Sequence, residues 1–325
     1  MGQESRILEQ LIQDKENREM NNRWNFNQTK DLMKPFDNKV LIQKNNPTLA
    51  TNDKTKLELN SVKPKNIVDP SIVDHKCSIL NYLVEKQSTY SIDINYMSRQ
   101  TEITLKMRAI LIDWFVDVIV KFRMRFNTLF LAVHFLDQYL QNNHSTKADL
   151  QLVGVSVLMI ASKMEEIYPP SSSKYEIICD HAYTNNQILK MEQHILLKLA
   201  FDLNPATMIS LLDLLNTELK LQPLQYYFCI YMLENLLLEI SSFKYSYLTL
   251  VLGTIYLVSK IYAVKETELV VLQKMNNNLE ELKSCAKDIF LIIKRNEKIS
   301  LGAIKKQFSI PEYYEISKYR LEKGN

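Results

Sequence analysis

The side chains best able to do chemistry in this 325-residue chain are not grouped for it. Glu165 and Glu166 suggest a carboxylate pair, but neighbours on a helix point about 100° apart and cannot flank one scissile bond. No His or Cys stands near them in sequence. The five histidines, His75, His134, His144, His181 and His194, are scattered, and none has a partner at i+4 for a metal. Cys77, Cys179, Cys229 and Cys285 form no C-x-x-C, so they read as buried thiols in a reducing compartment and no structural metal is expected. Only five glycines occur, where a chain of this length at roughly 7% would carry about 23. Gly-rich phosphate loops and nucleophile elbows are therefore excluded. The expectation is a protein with no catalytic site, no metal and no cofactor.

The elements that position these residues follow from the same composition. Few glycines leave few tight hairpin turns and favour an all-α fold. With 46% hydrophobic and 24% charged residues the chain can bury a sizeable core. A net charge of +3 without a dense basic run argues against direct nucleic-acid binding. The N-terminus lacks the apolar stretch of a secretory signal. The longest apolar run, Leu248 to Val258, is about half of what a membrane span needs, so no membrane association is expected.

Residues 1–70 are rich in Asn, Lys, Gln and Asp and interrupted by Pro35, Pro47, Pro64 and Pro70, which predicts a disordered regulatory tail. Asp69-Pro70 then reads as a helix start, with a short helix behind it. Met107, Ile110, Leu111, Trp114, Phe115, Val118, Ile119 and Phe122 recur at helical spacing, with Thr104 placed to cap. Further helices are predicted from 127 to about 140, 147 to 167, 173 to 182 and 184 to 200. The Pro169-Pro170 pair is expected to end the third helix of this set. Beyond Pro205 the pattern recurs at about 206–219, 223–241, 245–262, 266–276 and 278–295. A shift of 97 positions superposes Ala161-Ser162-Lys163 on Val258-Ser259-Lys260 and suggests a duplicated five-helix unit. The domains read as 1–70 tail, 71–203 first bundle with its preceding helix, 204–300 second bundle, and 301–325 C-terminal tail.

At this point the strings resemble a known family. Met107-Arg108-Ala109-Ile110-Leu111-Ile112-Asp113-Trp114, Leu150-Gln151-Leu152-Val153-Gly154 and Ala161 through Pro170 look like the cyclin box of mitotic cyclins. Phe135 to Leu140, Met191-Glu192 and Leu199 to Leu203 follow in the right order. Lys121-Phe122-Arg123 and Gln141-Asn142-Asn143 look most like the B type. The resemblance implies two tandem five-helix cyclin folds, preceded by a short N-terminal helix, in an intracellular protein of the nucleus and/or cytoplasm. The implied function is that of a non-catalytic subunit that activates a cyclin-dependent serine/threonine kinase in cell-cycle, most often mitotic, control.

The resemblance also carries roles residue by residue. Lys163 and Glu192 would contact the kinase, with Ile160, Met164 and Phe201 as the apolar part of that surface. Spacing alone would make the first two solvated charges. Met164 departs from the aromatic residue common at this place. Arg108 and Asp137 would form a buried structural ion pair. Met107, Ile110, Leu111, Trp114, Asp117 and Gln151 would form a patch receiving Arg-x-Leu substrates, with Asp117 standing where strong binders carry Glu. In the tail, Lys15-Glu16-Asn17 spells a degron read by the anaphase-promoting complex. No R-x-x-L box occurs there, since Arg6, Arg18 and Arg23 are followed at +3 by Glu9, Asn21 and Phe26. Two other classes remain alongside this reading. A cyclin-fold transcription-type factor would show salt-dependent DNA binding, and a cyclin-like scaffold would fail to activate a kinase.

Overall fold

The structure is a computed structural model that describes residues 70–275, 278–297 and 301–319. Among these residues all regular structure is helical. Helix α1 spans Pro70–Thr89, opened by a proline whose missing N–H is one the first turn leaves unbonded anyway. The first bundle comprises α2 (Leu105–Phe122), α3 (Phe126–Asn142), α4 (Leu150–Glu165), α5 (Ser172–Ile178) and α6 (Asn185–Lys198). The second comprises α7 (Met208–Leu219), α8 (Pro223–Leu237), α9 (Tyr247–Ile261), α10 (Lys265–Lys274) and α11 (Leu279–Asn296).

Capping sets several of these starts. Thr104 Oγ1 accepts from the Met107 amide at the head of α2, and Thr184 with Gln187 forms a reciprocal capping box on α6. The bundles share one plan. In the first, α4 is buried from Leu152 to Ser162 and packs on α3 and α6; in the second, α9 plays the same part against α8, α10 and α11. The two central helices begin at 150 and 247, the offset of 97 that the sequence repeat suggested. Each central helix has a glycine where a neighbour comes closest. A Cβ on Gly154 would lie 2.7 Å from Leu111 Cδ1, and one on Gly253 would lie 3.0 Å from Cys285 Sγ.

Two boundaries differ from the sequence expectation for identifiable reasons. Helix α4 ends at Glu165, not at the prolines, because Glu166 turns extended and its carboxylate accepts from the Arg125 amide (2.8 Å) and from Thr128 Oγ1 at the start of α3. The C-terminal segment, read as a tail, is folded over 301–319. A short helix α12 (Ala303–Gln307) packs on α2 and α8. Asp113 Oδ1 accepts from the Ala303 amide at 2.9 Å, and Phe308 stacks on Phe126 of α3 and meets the edge of Tyr231 of α8. These aromatic contacts tie the segment to both bundles.

Candidate functional site

Lys163 lies in the last turn of α4 and Glu192 in the middle of α6. Glu192 shares the inward stripe of its helix with Ile188 and Ile195. A carboxylate on that stripe requires a partner, and Lys163 Nζ donates to Glu192 Oε1 at 2.6 Å. Glu192 is buried while the lysine side chain remains about half exposed, so the pair stands at the protein surface with its cation outward.

Several large apolar side chains of the same bundle are left without cover. Met164 is 50% exposed and Phe201 61%. Ile160, expected on the same surface, is 2% exposed and belongs to the core, because it faces back into the bundle from the most buried helix. Beyond α4, Ile167 and Tyr168 project at 88% and 91% exposure, and Ile177 of α5 and Leu197 of α6 are also exposed. Phe201 is held out by its backbone: Ala200 and Phe201 both adopt left-handed conformations, with φ of 51° and 55°. For residues with a side chain this costs of the order of 1 kcal/mol each.

A second polar cluster lies inside the fold. Asp137 Oδ1 accepts from Arg108 Nε (2.6 Å) and Tyr96 Oη (2.6 Å), and Oδ2 accepts from Arg108 Nη2 (2.5 Å). Arg108 Nη1 donates to the Leu237 carbonyl at 2.8 Å. All three side chains are fully buried. Burial opposes charge on Arg108, but Asp137 and Tyr96 outweigh it and raise the arginine's pKa; burial and Asp137 together raise that of the Tyr96 phenol. Sequence reasoning found Arg108 and Asp137 but not Tyr96 or the Leu237 carbonyl. A tyrosine upstream of α2 and a backbone oxygen 129 residues away carry no local signal.

Beside this cluster, a cavity of about 10 Å³ is lined by His134, Asp137, Thr207 and Tyr247 among others. His134 is buried, and neither ring nitrogen has a hydrogen-bond partner. Burial lowers its pKa to about 4 despite the attraction of Asp137. No group of three or more metal-ligating side chains exists among the described residues. Nor is any described helix long and apolar enough to cross a membrane.

The α2 patch residues divide. Leu111, expected at the surface, is buried where it meets Gly154. Met107, Ile110 and Trp114 are partly buried, Gln151 is also partly buried, and Asp117 is exposed. What remains outward is therefore a narrow edge over a buried leucine. Lys15, Glu16 and Asn17 lie outside the described residues.

Two family models match the chain: Cyclin, N-terminal domain, over residues 78–204, and Cyclin, C-terminal domain, over 214–321. Cyclin-A2 of Xenopus laevis is 39% identical over 153 residues, which is 47% of this chain and 36% of that one. Cyclin-A1 of Homo sapiens is 43% identical over 150 residues, 46% of this chain and 32% of the human protein. The aligned stretch thus spans about a third of the length of these curated relatives. Both share the A/B-like resemblance and do not single out the B type. The X-ray structure of a viral cyclin from herpesvirus saimiri superposes with a TM-score of 0.59 at 21% identity, covering 66% of this chain and 96% of that one; at this identity it shows the fold. With both domain models matched in order along one tandem helical fold, the chain belongs to the cyclin family.

Proposed function

We propose that this protein binds and activates a cyclin-dependent serine/threonine kinase, without chemistry of its own. The observation that carries the reading is the Lys163–Glu192 pair at the surface, together with the exposed Met164, Ile167, Tyr168, Leu197 and Phe201 on or just after two helices that pack against one another. Large apolar side chains left exposed on neighbouring elements fit an interaction site. A rigid bundle carrying such a face can select one conformer of a partner, and a kinase needs its Lys–Glu pair and activation segment placed before phosphoryl transfer proceeds. Lys163 would supply donors to the kinase backbone, held in place by Glu192.

The finer reading is mitotic control, with substrates docking through an Arg-x-Leu motif at Met107, Ile110, Trp114, Asp117 and Gln151 and destruction directed by Lys15-Glu16-Asn17. The narrow outward edge of α2 suits a short apolar contact. The test mixes the full chain with cyclin-dependent kinase catalytic subunits and follows co-elution and peptide phosphorylation. Co-elution with a large rise in phosphorylation supports activation. Co-elution without a rise would make it a scaffold, and salt-sensitive DNA binding with no kinase would make it a transcription-type factor.

A further inference from the structure

A concave surface lies on the second bundle, lined by none of the α4 or α6 residues. A cleft of about 480 Å³ opens between α9, α11 and the 3-10 turn Ile240–Lys244. Its floor is aliphatic, formed by Leu250, Ile289 and Ile292, all buried. Gly253 shapes it by letting α11 close on α9 at Cys285. Leu291 stands exposed at the rim.

The rim charges decide what the cleft can take. Lys244 Nζ lies 2.7 Å from Asp288 Oδ2, and Tyr245 Oη donates to the same carboxylate oxygen at 2.8 Å. Although burial works against the charge, these two contacts hold Asp288 below its ordinary carboxylate range. Asp288 is thus an anion with one oxygen, Oδ2, held by a cation and a phenol of its own rim. Among the described residues the Arg295 side chain pairs only with Glu239, at a long 3.7 Å, and it is more than half exposed. A guanidinium has five donors, so most of this one's capacity points to whatever enters the cleft. The Arg295 donors complement a carboxylate, whose two oxygens a guanidinium can take together, whereas the Asp288 charge is already matched by Lys244.

The length is also informative. From Cys285 to Arg295 the wall formed by α11 runs ten residues, about 15 Å at 1.5 Å per residue. An extended chain at about 3.3 Å per residue would lay four to five residues along it. We propose that this cleft is a docking site for an extended peptide segment of a partner protein, in which an aliphatic side chain fills the Leu250–Ile289–Ile292 floor and a neighbouring carboxylate pairs with Arg295.

An array of synthetic acetylated octapeptides tests it, with Leu, Ile or Phe at position four and Asp, Gln or Lys at the flanking positions, probed with the full chain. Peptides joining an aliphatic residue to an adjacent Asp should bind best. Arg295→Glu should weaken them at least tenfold and shift the preference to Lys at the acidic position, with the melting temperature near wild type. Should that variant unfold, Arg295→Gln serves, with a loss of the Asp preference and no reversal. Binding indifferent to the flanking charge, unaffected by Arg295, or confined to vesicles of phosphatidylserine with no peptide bound would overturn the proposal.

Discussion

Arg108 of α2 reaches across the junction of the two bundles and donates from Nη1 to the Leu237 carbonyl at the end of α8, at 2.8 Å. Its other donors close on Asp137 of α3, so one guanidinium joins three helices. Replacing Arg108 by Ala would leave Asp137 buried with only Tyr96 as a partner and would orphan the carbonyl. The expected loss is about 3–5 kcal/mol, read as a large drop in melting temperature. Arg108→Lys should rescue little, because a single ammonium cannot reproduce the fork. A melting temperature within a degree of wild type for Arg108→Ala would contradict this arrangement.

His134 should make stability depend on pH. Its pKa is near 6.5 unfolded and about 4 folded, so between these values the unfolded chain binds a proton that the folded chain refuses. Stability contributed by the neutral ring is therefore present above about 6.5 and lost as pH falls towards 4, by up to about 3 kcal/mol at about 1.4 kcal/mol per pH unit. His134→Leu should flatten this part of the profile in melts between pH 7 and 5. An unchanged slope would mean the ring is hydrated in solution.

Glu234 should act with the opposite sign. It is fully buried in α8, its one side-chain hydrogen bond among the described residues comes from Gln307 Nε2 at 3.5 Å, and burial pushes its carboxyl well above 4.5. A raised folded pKa gives stability that is intact below 4.5 and falls as pH rises towards the folded value. Glu234→Gln should therefore raise the melting temperature at pH 8 and leave it nearly unchanged at pH 4.5. A variant less stable at pH 8 would show that the ionised carboxylate is accommodated.

Gly154→Ala should be destabilising by about 1–3 kcal/mol, since the added methyl meets Leu111 at 2.7 Å. The same contact can be relieved by shortening the leucine. In a double-mutant cycle Leu111→Ala should cost less in the Gly154→Ala background than alone. Strict additivity would separate the two sites.

Much of this fold was legible in the sequence because its cause is periodic. The α2 stripe from Met107 to Phe122 and the Thr104 cap follow from short-range spacing that helices must obey, and the 97-residue offset shows as self-similarity of the chain. The parts that were not legible depend on partners far along the chain. Nothing near Glu166 says that it will cap α3 instead of continuing α4, and nothing near Asp113 says that Ala303 will fold back to it. Ile160 and Leu111 show the same limit within the site. Each has the residue type and spacing of a surface contact in the family pattern, yet the tight approach of α4 to its neighbours places both inside.

The surface around Lys163 carries the central claim, and its exposed members allow the most direct test. Met164→Glu with Phe201→Glu changes two exposed side chains, so the melting temperature should hardly move. Lys163→Ala is less clean, because it leaves the buried Glu192 without its cation. The measurement is the rate at which a cyclin-dependent kinase phosphorylates a short peptide in the presence of the full chain. The account predicts strong activation by wild type and at least a tenfold loss with the double variant at equal stability. Undiminished activation by the double variant would place the kinase elsewhere and contradict the assignment of this face.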